Sequence, residues 1–284
     1  MTKCERTMQH RGTTAAMLAT VLAALLLATP AVAADDAAHA DSTEELAKKT
    51  QNPVADLISV PFQSNFNFNT GPRDKMVYVL NVQPVIPIKL NEDWNLITRI
   101  ITPIIDQPSL APGVETASGL GDINPSLFFS PAKSEHFIWG VGPTFTFPTA
   151  SKRILGAGKY SMGPTGVALL MEGPWVVGAL ANNQWSYAGW GPKSVNALLV
   201  QPFINYNFKG GMYLTTAPII TSNWTSKADQ QWTAPVGGGL GKLWRLGSVG
   251  LPVNTQIQGF YNAIRPDLTS EWQLRVQVQF LFPK

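Results

Sequence analysis

Few residues in this chain have the types and spacing that chemistry requires. There are three histidines, His10, His39 and His136. A serine–histidine hydrolase needs its base beside a nucleophile and an oxyanion site. His10 lies in the basic N-terminal stretch, His39 in a polar stretch ahead of any strand, and His136 in a short turn without such neighbours, which reads as solvated. Asp122 and Glu115 are the nearest approach to paired carboxylates, and they read as loop charges holding water or ions. The run Gly237-Gly238-Gly239-Leu240-Gly241 lacks the Lys-Ser/Thr ending and following helix of a phosphate loop. In a strand, such glycines permit bends or the close approach of another segment. The single cysteine, Cys4, stands ahead of the first apolar run, so the rest of the chain has no thiol nucleophile, disulfide or thiolate metal site. No catalytic residue, metal or cofactor is expected.

The recurrent polar chemistry is amide chemistry. Asn65, Asn67, Asn81, Gln83, Gln184, Gln201, Asn205, Asn207, Gln256, Gln258, Gln273, Gln277 and Gln279 alternate with apolar residues. An amide both donates and accepts, so a wall of amides solvates a neutral or weakly charged solute without trapping it. Arg99 and Arg275 are the clearest cations on that face. Around an open path they would set ion selectivity. In a closed, packed interior of the kind small barrels have, they would anchor a polar network.

The elements that must position these groups are strands. Trp272, Leu274, Val276, Val278, Phe280 and Phe282 share one face of the last segment, opposed to Gln273, Arg275, Gln277 and Gln279. The same period of two recurs along the chain. It predicts twelve strands near 58–69, 76–88, 94–106, 122–131, 137–148, 161–171, 175–186, 195–208, 212–224, 232–243, 248–262 and 272–283. Several prolines (Pro84, Pro103, Pro202, Pro218 and Pro252) fall inside these segments, where a ladder has no place for them. No segment after the N-terminus approaches the roughly 18 apolar residues of a helical span.

Two features separate a membrane barrel from a soluble sandwich. Connectors alternate short (89–93, 132–136, 172–174, 209–211, 244–247) and long (107–121, 149–160, 187–194, 225–231, 263–271), as periplasmic turns and extracellular loops do. Tryptophans cluster at strand ends: Trp94, Trp139, Trp175 and Trp244 at the short-turn rim, and Trp185, Trp224, Trp232 and Trp272 at the other. Such rings form interfacial girdles. The fold class expected is therefore all-β, a transmembrane antiparallel up-and-down β-barrel over residues 58–284.

Residues 1–33 read as a signal peptide: Lys3, Arg6 and Arg11, an apolar run from Ala15 to Ala28, and the small series Ala31-Val32-Ala33. Without that segment the charge is nearly balanced, and nucleic acid is not an expected partner. Residues 34–57 form a polar N-terminal segment, with Ser42 and Glu45 spaced as a capping box and Asn52-Pro53 as a breaker. A short helix at the periplasmic mouth, a plug in the lumen and a disordered leader are all compatible with it.

Glu45-Leu46-Ala47-Lys48-Lys49-Thr50-Gln51-Asn52-Pro53-Val54-Ala55-Asp56, running into Ser59-Val60-Pro61-Phe62-Gln63, resembles the start of the "MetA-pathway of phenol degradation" family. These are bacterial outer-membrane transporter-like proteins often misnamed neuromedin U. Gly119-Leu120-Gly121-Asp122-Ile123 and Leu127-Phe128-Phe129-Ser130-Pro131 are similar to a second shared block. The resemblance covers nearly the whole chain after residue 33. It implies a Gram-negative outer-membrane barrel with a role in solute passage and no transferable catalytic set. Aromatic solutes are suggested only by association. A channel is thus the leading expectation. A non-conducting structural or surface barrel is the second, with Lys152, Arg153 and Lys159 meeting lipopolysaccharide phosphates. An outer-membrane lipid enzyme is a disfavoured third.

Overall fold

A computed structural model of the chain describes residues 36–134, 136–246 and 250–282. The expected signal peptide lies outside them. The chain divides into compact units at residues 39 and 40, and of the first only Asp36–His39, the start of a helix, is described. That helix, α1, spans Asp36–Thr50. It begins six residues before Ser42, so the expected capping box is not its N-terminus. Asp36 and the alanines after it already favour a helix start, and Lys48 and Lys49 complement its C-terminal end.

Twelve antiparallel strands follow and close into a barrel. They are β1 (Ile58–Thr70), β2 (Lys75–Val82, resuming as Val85–Lys89), β3 (Trp94–Gln107), β4 (Ala117–Leu120, resuming as Asn124–Pro131), β5 (Phe137–Thr146) and β6 (Lys159–Glu172). The second half comprises β7 (Trp175–Gly189), β8 (Asn196–Asn207), β9 (Met212–Thr216, resuming as Ile220–Asn223), β10 (Trp232–Leu246), β11 (Leu251–Ile264) and β12 (Trp272–Phe282). Each pairs with its sequence neighbours. β12 also pairs with β1, from Ile58 opposite Phe282 to Phe68 opposite Trp272, so no sheet edge is left over.

Alternation explains the two faces. On the outside, Ile100, Ile104, Phe129, Val141, Leu170, Ile204, Leu240 and Ile257 are all exposed. On the inside of the same strands lie Ile97, Phe128, Val167, Asn205 and Gln258, all buried. Strands β1, β3, β6, β7, β10 and β11 run 13 to 15 residues, more than the ~9–11 a tilted strand needs to cross a bilayer. Among the described residues no helix is long and apolar enough to do so. The tightest turn joins β6 to β7 through Gly173-Pro174, with Gly173 at φ +52°, a left-handed conformation suited to glycine.

The interior prolines have a structural reason. Three strands are interrupted, β2 at 83–84, β4 at 121–123 and β9 at 217–219. Pro84 and Pro218 stand in two of these interruptions. The register places Pro61 on β1 opposite the first, Pro103 on β3 opposite the second and Pro202 on β8 opposite the third. A proline has no N–H to give, so each faces a stretch where the neighbouring ladder is already broken. The carbonyls of Pro61 and Pro103 are still used, accepting from Gln83 and Gly121 at 2.9 Å each.

Candidate functional site

The interior is built of two unlike halves. From β3 through β7, Ile97, Phe128, Val167, Leu169, Val176 and Leu180, with Phe203 of β8, form an apolar cluster. From β8 through β12 and on to β1 and β2 the wall is mostly amide. Tyr213, on β9, lies flat against Gly241 of β10, where any side chain would collide with its ring. Its hydroxyl donates to Asn254 Oδ1 and accepts from Gln256 Nε2, both at 2.8 Å. Gln258 Nε2 donates to Gln256 Oε1 at 3.0 Å, and Asn254 Nδ2 to Gln279 Oε1 at 3.2 Å. A phenol at the centre of four amides thus ties β9, β11 and β12 together.

The two arginines differ. Arg275 is only 4% exposed. It donates from Nη1 to the Ala217 carbonyl at 2.8 Å and from Nε to Asn65 Oδ1 at 3.4 Å, and it lies over the Phe260 ring. Ala217 sits in the β9 interruption, where its carbonyl is free of a strand partner. Arg275 therefore acts as a network anchor. Arg99, on β3, donates from Nη2 to Gln83 Oε1 at 2.7 Å and faces an internal cavity. No carboxylate pairs with either arginine among the described residues.

The remaining expected lumen residues all lie on the inner wall. Asn65 and Asn67 donate to the Val79 and Val77 carbonyls across the β1–β2 seam at 3.2 Å. Gln63 Nε2 donates to Asn65 Oδ1. Gln201, Asn205 and Gln277 line the cavity, and their side chains make no hydrogen bond among the described residues. Asn81 and Gln273 are half-buried on β2 and β12.

The cavity encloses about 950 Å³ of empty space, including its open mouth. One side of it is Leu180 and Phe203, the other Gln256, Gln277 and Gln279, and residues 49–53 with Ala55 and Leu57 form its floor. This N-terminal segment is held in three ways. Val54 packs into the apolar cluster, opposite Gly140, whose missing side chain makes room for it. Ala47 and Leu57 pack on Leu243 and Leu281. Gln51 and Asn207 exchange a reciprocal amide pair, 2.7 Å and 3.2 Å, both side chains buried. Tyr213, Gln51 and the apolar half escaped the sequence reading; none carries a local pattern that marks it.

At the strand ends, Trp94, Trp175, Trp185, Trp224, Trp232 and Trp272 are exposed, while Trp139 and Trp244 are half-buried. Several meet edge to face: Trp94 with Trp139 at 5.9 Å, Trp224 with Trp232 at 5.4 Å and Trp175 with Tyr206 at 4.8 Å. Asp122 and Glu115 do not form a pair. Asp122 lies in the β4 interruption and accepts from the Ala150 and Ala157 amides at 3.1 and 2.7 Å, pinning the β5–β6 loop, while Glu115 is exposed. Asp122 is therefore a structural acceptor for that loop. His136 is exposed in its turn, and its carbonyl accepts from Met171. Among the described residues no group of acids, histidines or cysteines is placed to hold a metal.

Among solved structures, the chain is similar to the COG4313 outer membrane channel from Pseudomonas putida F1, with a TM-score of 0.59 and 14% identity over 80% of this chain and 94% of that one. Lower likeness is found to the CymD monoaromatic hydrocarbon channel (TM-score 0.43, 9% identity, 86% and 93% covered) and to outer membrane phospholipase A from Escherichia coli (0.41, 14%, 79% and 96%). The first of these likenesses shows the fold, a barrel of the kind an outer membrane channel builds. No protein-family model matches the chain, and no curated protein matches it.

Proposed function

We propose that the protein is an outer-membrane channel of a Gram-negative bacterium for passive passage of small molecules, with aromatic or otherwise apolar compounds among its solutes. The observation that carries this reading is the internal cavity, lined by Gln201, Asn205 and Gln277, whose side chains make no hydrogen bond among the described residues, and by Leu180 and Phe203 beside them. Free amides exchange hydrogen bonds with a passing solute, and an apolar wall accepts the rest of its surface. The exposed apolar belt and the ringed strand ends suit a bilayer. Lys152 and Arg153, exposed on the β5–β6 loop, would meet lipopolysaccharide phosphates there.

Reconstitution of the purified protein in planar bilayers tests passage. Discrete conductance steps are expected, and deletion of residues 35–56 is expected to enlarge them. Silence across a wide voltage range in both proteins would overturn the reading. A second reading, a non-conducting surface barrel, is favoured by one observation, the N-terminal segment docked through Val54 and the Gln51–Asn207 pair. Silence of both proteins is its signature.

A further inference from the structure

The cavity's charge is one-sided. Two cations line it, Arg99 from β3 and Lys49 from the end of α1, and no Asp or Glu does. Asp56 stands between two lining residues, yet it is exposed and is not part of the wall. Arg99 has a neutral partner, Gln83, and no ion pair among the described residues. Arg99 is half-buried; a guanidinium partly withdrawn from water without a counter-ion carries a desolvation cost, and its planar fork matches a carboxylate through two parallel hydrogen bonds. Nearby, Asn205 is 4% exposed and lines the same cavity, and its side chain makes no hydrogen bond among the described residues. Gln201 and Gln277 are likewise uncommitted. Beside these stand Val85, Leu180 and Phe203, an apolar surface for a ring or short alkyl body. About 150 Å³ of the cavity is open to a water-sized body, on the order of the ~150 Å³ cavity that takes a single benzene ring.

We infer that the cavity is a binding site for a small amphipathic monocarboxylate, its carboxylate on Arg99 and its apolar body against Leu180 and Phe203. The free amides of Gln201, Asn205 and Gln277 take up any further polar groups. This deepens the passage reading, on which it rests for solute access to the lumen, by naming the charge and shape that the lumen prefers.

The test is calorimetric titration of the detergent-solubilised full chain with sodium benzoate and, separately, benzyl alcohol, which has nearly the same shape and no charge. Benzoate is expected to bind at least tenfold tighter than the alcohol. Arg99→Gln is expected to lose at least tenfold in benzoate affinity, and Arg99→Lys to recover part of it. Heat-modifiable migration on gels verifies that each variant is folded. Equal binding of acid and alcohol, no binding of benzoate, or benzoate binding indifferent to Arg99→Gln each overturns the inference. Conductance is read on the same preparations. A silent protein that binds benzoate through Arg99 removes passage and keeps the site, and a conducting protein that ignores benzoate does the reverse.

Discussion

The inner wall from β3 to β7 and the inner wall from β8 round to β2 have the same backbone geometry and different chemistry. The first is closed by packing: Ile97, Phe128, Leu169 and Val176 are all within about one per cent of complete burial. The second is closed by hydrogen bonds among Tyr213, Asn254, Gln256, Gln258 and Gln279. Packing is non-directional and tolerates no gap, whereas amides can trade one partner for another or for water. The residual cost confirms the contrast. The buried polar atoms left without a partner (Ser222 Oγ, Gln258 Oε1 and Asn262 Oδ1) belong to β9 and β11, in the amide half. One half therefore serves as a rigid seat and the other as an adaptable surface, with the cavity between them.

The comparison breaks most sharply at Phe128. It is fully buried and central to the apolar half, so Phe128→Ala should cost about 3–5 kcal/mol by loss of transfer energy and creation of a cavity. Urea unfolding in lipid vesicles, followed by tryptophan fluorescence, measures this. A cost below about 1 kcal/mol would mean that this half is not a packed core. The amide half offers a smaller counterpart. Arg275→Leu removes the donor to the Ala217 carbonyl and to Asn65, and losing hydrogen bonds from a charged group should cost about 1.5–3 kcal/mol. The same unfolding assay reads it, and the ordering of the two variants is the content of the prediction.

How much of this was legible in the sequence depends on which half is considered. In β1, β11 and β12 one face is polar and the other apolar, so the pattern alone turns Gln63, Gln258 and Gln279 inward. In β6 and β7 both faces are apolar: Val167 and Val176 are buried inside while Leu170 and Val177 are exposed outside. A two-sided apolar strand has no face label, which is why the pattern marks inward amides on β1, β2, β7, β8, β11 and β12 and names no inward residue of the apolar cluster. The strand interruptions were hidden for a related reason. Pro61, Pro103 and Pro202 reveal their role only through the register of a neighbouring strand. Gln51 has its partner 156 positions away, and no local period encodes such a pair.

That pair tests whether the docked segment belongs to the rigid half or the adaptable one. Asn207→Leu deletes both amide bonds and strands Gln51 in a buried setting. The cost should be about 1–3 kcal/mol, felt as easier release of residues 51–57 rather than as global unfolding. Cys4 is the sole cysteine and lies within the expected signal peptide, so Val54→Cys provides a clean reporter. Its modification by a membrane-impermeant thiol reagent should quicken about 5- to 150-fold in the Asn207→Leu background. An unchanged rate would place the hold on the segment in its apolar contacts, Ala47 and Leu57 among them.

The smallest expected effect is the most discriminating. Gln277 faces the cavity from β12, and its side chain makes no hydrogen bond among the described residues. If the amide wall served only stability, such a residue would have no reason to be polar. Gln277→Ala removes no bond and fills no space needed by a neighbour, so the unfolding free energy should move by less than about 0.5 kcal/mol. Solute passage should still change, because an uncommitted donor and acceptor pair has been taken from the path. Conductance in planar bilayers and unfolding in vesicles, measured on this one variant, therefore separate the two uses of an amide. A stability loss comparable to that of Arg275→Leu would assign Gln277 to the network and narrow the adaptable surface to β8.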